Sequence, residues 1–251
     1  VGAPTPPLPG QHLTFKDTAA VAEAAATRVA AALRDAILKR GAASLALSGG
    51  NTPRPAYERL ASEPGVAWGA VSVYWIDERA VPPDHARSNY RLALESLLFR
   101  APIPAASVHR MTGEATDLDH AARDYEALLR SRLSPPVEGG VPSFDVAVLG
   151  IGDDGHTASL FPGEGSVDVR DRLVLAIPAA PEHDREARLT VTTPVIESIG
   201  TVLVLAVGAA KRGPLERVAA EAGSARDTPS RLFRGARGAL TWLTDEAAAG
   251  R

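Results

Sequence analysis

Apolar residues recur along this chain in two rhythms. Between Asp17 and Arg40 an alanine-rich run places Val21, Ala25, Val29, Ala32, Leu33 and Ile37 at helical spacing, and Gly41 stops it, which predicts one long amphipathic helix. Elsewhere the apolar runs are short and nearly continuous. SLALS (44–48), VSVYWI (71–76), FDVAVLGI (144–151), RLVLAI (172–177), RLTVTT (188–193), TVLVLAV (201–207) and ALTWLT (239–244) read as strands, most of them buried on both faces. Helical patterns stand between them: PRPAYERLA, NYRLALESLLF, DLDHAARDYEALLRSRL and a segment from Ala209 to about Glu221. Alternation of this kind predicts the α/β class, with a mostly parallel sheet covered by helices on both faces.

The remaining segments are read from their breakers. Proline removes the amide hydrogens that helices and ladders need, so residues 1–11, VGAPTPPLPGQ, are expected to form a flexible tail. The Pro- and Gly-rich SPPVEGGVPS (134–143) reads as a loop and not as a linker, because strands of one character lie on both sides; residues 12–251 are expected to form a single domain. DERAVPPDHARS (77–88) also reads as a loop. In GGNTPRPAYERLA the glycines predict a turn, with Thr52 as cap and Pro53 at the first helical position.

Composition narrows the chemistry. With 27 basic and 30 acidic residues the formal charge is −3, which supplies no field for nucleic acid or an anionic membrane. The absence of cysteine excludes disulfides, thiolate nucleophiles and thiolate metal sites. No apolar run approaches a membrane span, and the expected compartment is the cytoplasm.

In an open α/β sheet ligands gather beyond the carboxyl ends of the strands, and four such places carry reactive or basic groups. Ser48-Gly49-Gly50-Asn51-Thr52 can turn its amides toward an anion, or can be a plain tight turn. Asp77-Glu78-Arg79 offers two carboxylates and a guanidinium, or a surface salt-bridge cluster. In Asp153-Asp154-Gly155-His156-Thr157 an acid can fix the tautomer of the histidine, which is a catalyst, a metal ligand or a turn residue. Lys211 falls at a helix start, where a cation opposes the helix dipole unless it answers a bound anion or is simply solvated.

Metal hydrolysis and a serine triad fit less well. Of the other histidines, His12, His85, His109, His120 and His183, none forms an H-x-x-x-H pair, although His85 and His183 lie in expected loops. No G-x-S-x-G elbow is present, and Ser48 lacks its flanking glycine. A metal-free phosphate site with one histidine and nearby carboxylates remains.

These segments occur in a familiar order. LALSGGNTPRPAYERLA, VYWIDERAVPPDHARSNYRL, FDVAVLGIGDDGHTASLFPG, ARLTVTTPVI, GAAKRGPLERV and GALTWLTDEAA resemble the 6-phosphogluconolactonases from about Leu13 to Ala248. The related glucosamine-6-phosphate deaminases read G-x-G-x-D-G-H-I-A-F-N-E-P-G, whereas Thr157, Ser159, Leu160 and Phe161 follow the lactonase form. Two stretches depart from the pattern: VIESIGT (195–201), where many relatives carry an Ala-Arg or similar pair, and DTPSRLF, which keeps part of a Leu-Pro-Ala run.

The resemblance implies a three-layer αβα, modified Rossmann-like fold. It also implies hydrolysis of 6-phospho-D-glucono-1,5-lactone in the oxidative branch of the pentose phosphate pathway, with no required metal or organic cofactor. By the same resemblance His156 is the general base and Asp154 orients it. The Ser48–Thr52 loop and Lys211 meet the phosphate, and Arg79 and Arg188 line the pocket. Asp77 joins the catalytic candidates, since in the alternative deaminase or isomerase reading it moves a proton on the sugar carbon. A non-catalytic sugar-phosphate sensor is the second alternative. The expected partner is the lactone, and the expected assembly a monomer or weak homodimer.

Overall fold

A computed structural model of the chain describes residues 7–135, 139–183 and 185–250. Residues 1–6 of the expected tail and 136–138 of the expected loop lie outside the described residues. The first strand, β1 (Gln11–Phe15), leads into α1 (Thr18–Arg40), which Asp17 caps through the Ala20 amide and Gly41 ends in a left-handed conformation. There follow β2 (Ala43–Leu47), α2 (Arg54–Leu60), β3 (Val71–Trp75) and β4 (Asp77–Arg79). After them come α3 (Asn89–Ala93), continued by a π-helical turn over Leu94–Leu98, then β5 (Val108–His109), α4 (Leu118–Arg132) and β6 (Val146–Gly150). The last elements are β7 (Val174–Ile177), β8 (Arg188–Val191), α5 (Thr193–Ser198), β9 (Thr201–Ala206), α6 (Arg212–Ala219), β10 (Ala239–Asp245) and α7 (Glu246–Ala249).

Seven strands form a wholly parallel sheet in the order β1-β10-β9-β6-β2-β3-β5. Side chains of a strand alternate between faces, yet every residue of β2 and all but one end residue of β6 and β9 are buried. Both faces are therefore covered, as a three-layer αβα arrangement requires. One contiguous apolar cluster runs through the molecule, from Leu33, Leu45 and Trp75 to Val204, Phe233 and Trp242.

Four findings differ from the sequence reading. RLVLAI and RLTVTT join no parallel sheet; as β7 and β8 they form a separate antiparallel sheet with β4, in the order β4-β8-β7. Asp77–Arg79, expected as loop, is an edge strand of that sheet, a pairing that three charged residues do not advertise. Thr52 does not cap α2: Pro53 takes that position with no side-chain hydrogen bond, and the helix begins at Arg54. Within the stretch expected as tail, Leu8 is buried in the core, the Trp242 Nε1–H donates to the Pro9 carbonyl at 2.8 Å, and Gln11 pairs with Thr241.

Candidate active site

The four chemistry-bearing segments meet at the carboxyl ends of β2, β3, β6 and β9. A cleft of 630 Å³ there is lined by Ser48, Gly49, Gly50, Asn51, Thr52, Asp77, Arg79, Asp154, His156, Arg188 and Lys211, so the residues expected to act in catalysis or phosphate binding border one cavity, whereas Glu78 does not.

The histidine loop is built around a short contact. Asp154 Oδ1 accepts both the His156 backbone N–H, at 2.9 Å, and its ring Nδ1–H, at 2.6 Å. That pairing assigns the proton to Nδ1 and leaves Nε2 with its lone pair, the tautomer a general base needs. Burial pushes the Asp154 carboxyl up, but the hydrogen bonds and charge of His156 outweigh it and leave it at about 2. Gly152 makes room for this geometry, because a Cβ there would stand 2.1 Å from His156 Nδ1 and 2.6 Å from Asp154 Oδ1. The Phe161 ring supports the imidazole from one side, with ring centroids 4.9 Å apart. Ala158, two residues after the histidine, is held at φ 52°, a left-handed conformation that a non-glycine residue adopts at some cost.

The acidic triplet divides into three roles. Glu78 faces away from the cleft and is buried; its two oxygens accept the amides of Arg79, Asn89 and Tyr90 and the Ser88 hydroxyl, at 2.7–3.0 Å. Burial outweighs those hydrogen bonds and raises its carboxyl above the ordinary range. Asp77 is buried as well, and its carboxylate accepts the Ser159 hydroxyl at 2.7 Å and the Asn89 amide at 3.2 Å. Arg79 stands directly opposite Arg188 in the β4–β8 register, and both line the cleft. Like charges placed opposite each other on a sheet repel, and an anion between them removes the penalty. Arg188 is 14% exposed, its Nε has no hydrogen-bond partner, and burial lowers its pKa while Asp77 counteracts the loss.

The Gly49-Gly50 turn has a steric reason. A Cβ at Gly49 would overlap the Asn89 carboxamide at 1.8 Å, and Gly50 has φ +95°. Ser48 borders the cleft, but its hydroxyl donates to the Val148 carbonyl at 2.8 Å and its backbone is bonded to the Tyr57 hydroxyl in both directions. It fastens β2 to β6 and α2. Lys211 arrives on the turn before α6 and pairs with Asp153 at 2.5 Å. Asn89 and the Ser159–Asp77 bond escaped the sequence reading: Asn89 sits inside an ordinary helix pattern, and only its contact with Gly49 marks it. Among the described residues, no group of three His, Asp or Glu side chains is arranged to hold a metal ion.

Comparison with known proteins agrees in extent and in kind. A family profile described as glucosamine-6-phosphate isomerases/6-phosphogluconolactonase matches residues 16–242. The chain is 40% identical over 227 residues to a 6-phosphogluconolactonase from Synechocystis sp., covering 90% of this chain and 91% of that one. It is 35% identical over 251 residues to 6-phosphogluconolactonase from Rattus norvegicus, covering 97% and 94%. A solved structure of 6-phosphogluconolactonase from Trypanosoma brucei superposes with a TM-score of 0.86 at 29% identity, covering 97% of this chain and 99% of that one. With the match running from just before α1 into β10, the chain belongs to the glucosamine-6-phosphate isomerase/6-phosphogluconolactonase family.

Proposed function

We propose that this chain hydrolyses 6-phospho-D-glucono-1,5-lactone to 6-phospho-D-gluconate, with His156 as general base. The observation that carries the reading is the Asp154–His156 pair set in one cleft with Arg79, Arg188, Lys211 and the glycine turn. A strained cyclic ester needs little more than a placed water, an acceptor for its proton and a counter-charge for the oxyanion.

His156 Nε2 takes a proton from water as the oxygen bonds to the lactone carbonyl carbon. Asp154 holds the imidazolium that results, and Arg79 faces the negative charge that develops on the carbonyl oxygen. The tetrahedral intermediate then collapses: the bond from carbonyl carbon to ring oxygen breaks, and the imidazolium proton passes to that oxygen. The Gly49–Thr52 loop, Arg188 and Lys211 hold the phosphate, whose remote binding energy fixes the ring against the base. Asp77, clamped by Ser159 and Asn89, serves as a fixed negative charge beside Arg188.

Freshly generated lactone distinguishes this reading from its rivals. The purified protein is expected to hydrolyse it faster than the spontaneous background, and His156→Ala to remove about 10²- to 10⁴-fold of the acceleration. An unchanged rate in that variant overturns the general-base assignment. Ammonia release from glucosamine 6-phosphate supports the deaminase reading instead, and tight binding without turnover supports the sensor.

A further inference from the structure

The two adjacent acids of the histidine loop do different work. Asp154 turns inward to His156, whereas Asp153 turns across the cleft to Lys211, Oδ1 to Nζ 2.5 Å. Asp153 stands at the position that the family pattern G-x-G-x-D-G-H leaves open. The partners are unequal: the Lys211 side chain is 18% exposed and that of Asp153 is 70% exposed. The Asp153 backbone is pinned, since its carbonyl accepts from Arg217 Nη2 at 3.1 Å and the Gly155 amide closes the turn onto the Gly152 carbonyl at 3.0 Å. Only the carboxylate is free to rotate into water, at little cost for an exposed ion pair.

We infer that Asp153 is a built-in competitor for the phosphate subsite. The inference rests on the reading of Lys211 as a phosphate ligand. The Asp153 carboxylate occupies the ammonium until a stronger anion displaces it. The dianion of a phosphomonoester displaces this singly charged competitor, and because the same competition must be overcome whichever anion binds, Asp153 lowers the affinity of the subsite while leaving ligands that do not use Lys211 unaffected. It acts through Lys211 and not on the reacting atoms.

A double-mutant cycle on the full chain tests this. Asp153→Asn is expected to lower both KM for the phosphorylated lactone and the inhibition constant of inorganic phosphate by about three- to tenfold. The ratio of kcat/KM for the phosphorylated lactone to that for unphosphorylated gluconolactone should rise by a similar factor. In a Lys211→Ala background, Asp153→Asn should shift neither constant. Asp153→Ala, which removes the side chain's polar atoms altogether, should act in the same direction. A KM that rises or stays fixed in both Asp153 variants overturns the proposal, the former by showing that Asp153 orients Lys211. If Lys211→Ala leaves KM and phosphate inhibition where they were, the phosphate reading of Lys211 fails and the competitor role with it.

Discussion

At the scale of single residues, the site depends on one carboxylate. Asp154 is held at about 2, so it remains ionised throughout the range in which imidazole titrates. Asp154→Asn is expected to cut kcat on the order of a hundredfold through the lost tautomer, which steady-state kinetics on freshly generated lactone measure. His156, Asp154 and Lys211 were legible because each stands next to a strand end in a sequence rich in glycine. Asn89 and the bond from Ser159 to Asp77 were not, since they join residues distant in the chain and no local pattern signals the contact.

At the scale of elements, the junction of β4 and α3 turns on Glu78. Each of its oxygens accepts two donors, and three of the four are backbone amides, those of Arg79, Asn89 and Tyr90. Glu78→Gln sets an NH₂ group against two of these donors. It should lower stability by about 2–4 kcal/mol, read from the urea midpoint, and loosen Asn89 beneath the glycine turn. The triplet DER reads as a polar loop because a three-residue strand of charged side chains has no apolar rhythm. β5, two residues long, was hidden for the same reason. The long helices α1 and α4 and the inner strands of the parallel sheet were legible because burial writes their period into the sequence. The antiparallel placement of β7 and β8 was not, since strand direction follows from the connections and not from side-chain pattern.

At the scale of the whole molecule, the sheet is closed at one edge by β1 lying along β10, from Gln11↔Thr241 to Phe15↔Asp245. Deleting residues 1–15 would remove Leu8 from the core, take the Pro9 carbonyl from Trp242 and turn β10 into an open edge. The truncated chain should lose about 4 kcal/mol or more, a fall in Tm of roughly 10 °C, and associate in a concentration-dependent way through the bared strand. Scanning calorimetry and light scattering read the two effects. The pairing also has a consequence in time. All residues that line the cleft fall between Ser48 and Lys211, whereas the strands that seal the edge lie outside that interval, one before and one after. During synthesis the chemistry is delivered before β10, and β1 waits without its neighbour until β10 emerges, so a nascent chain halted after Lys211 would hold every group of the pocket on a sheet still open at one side.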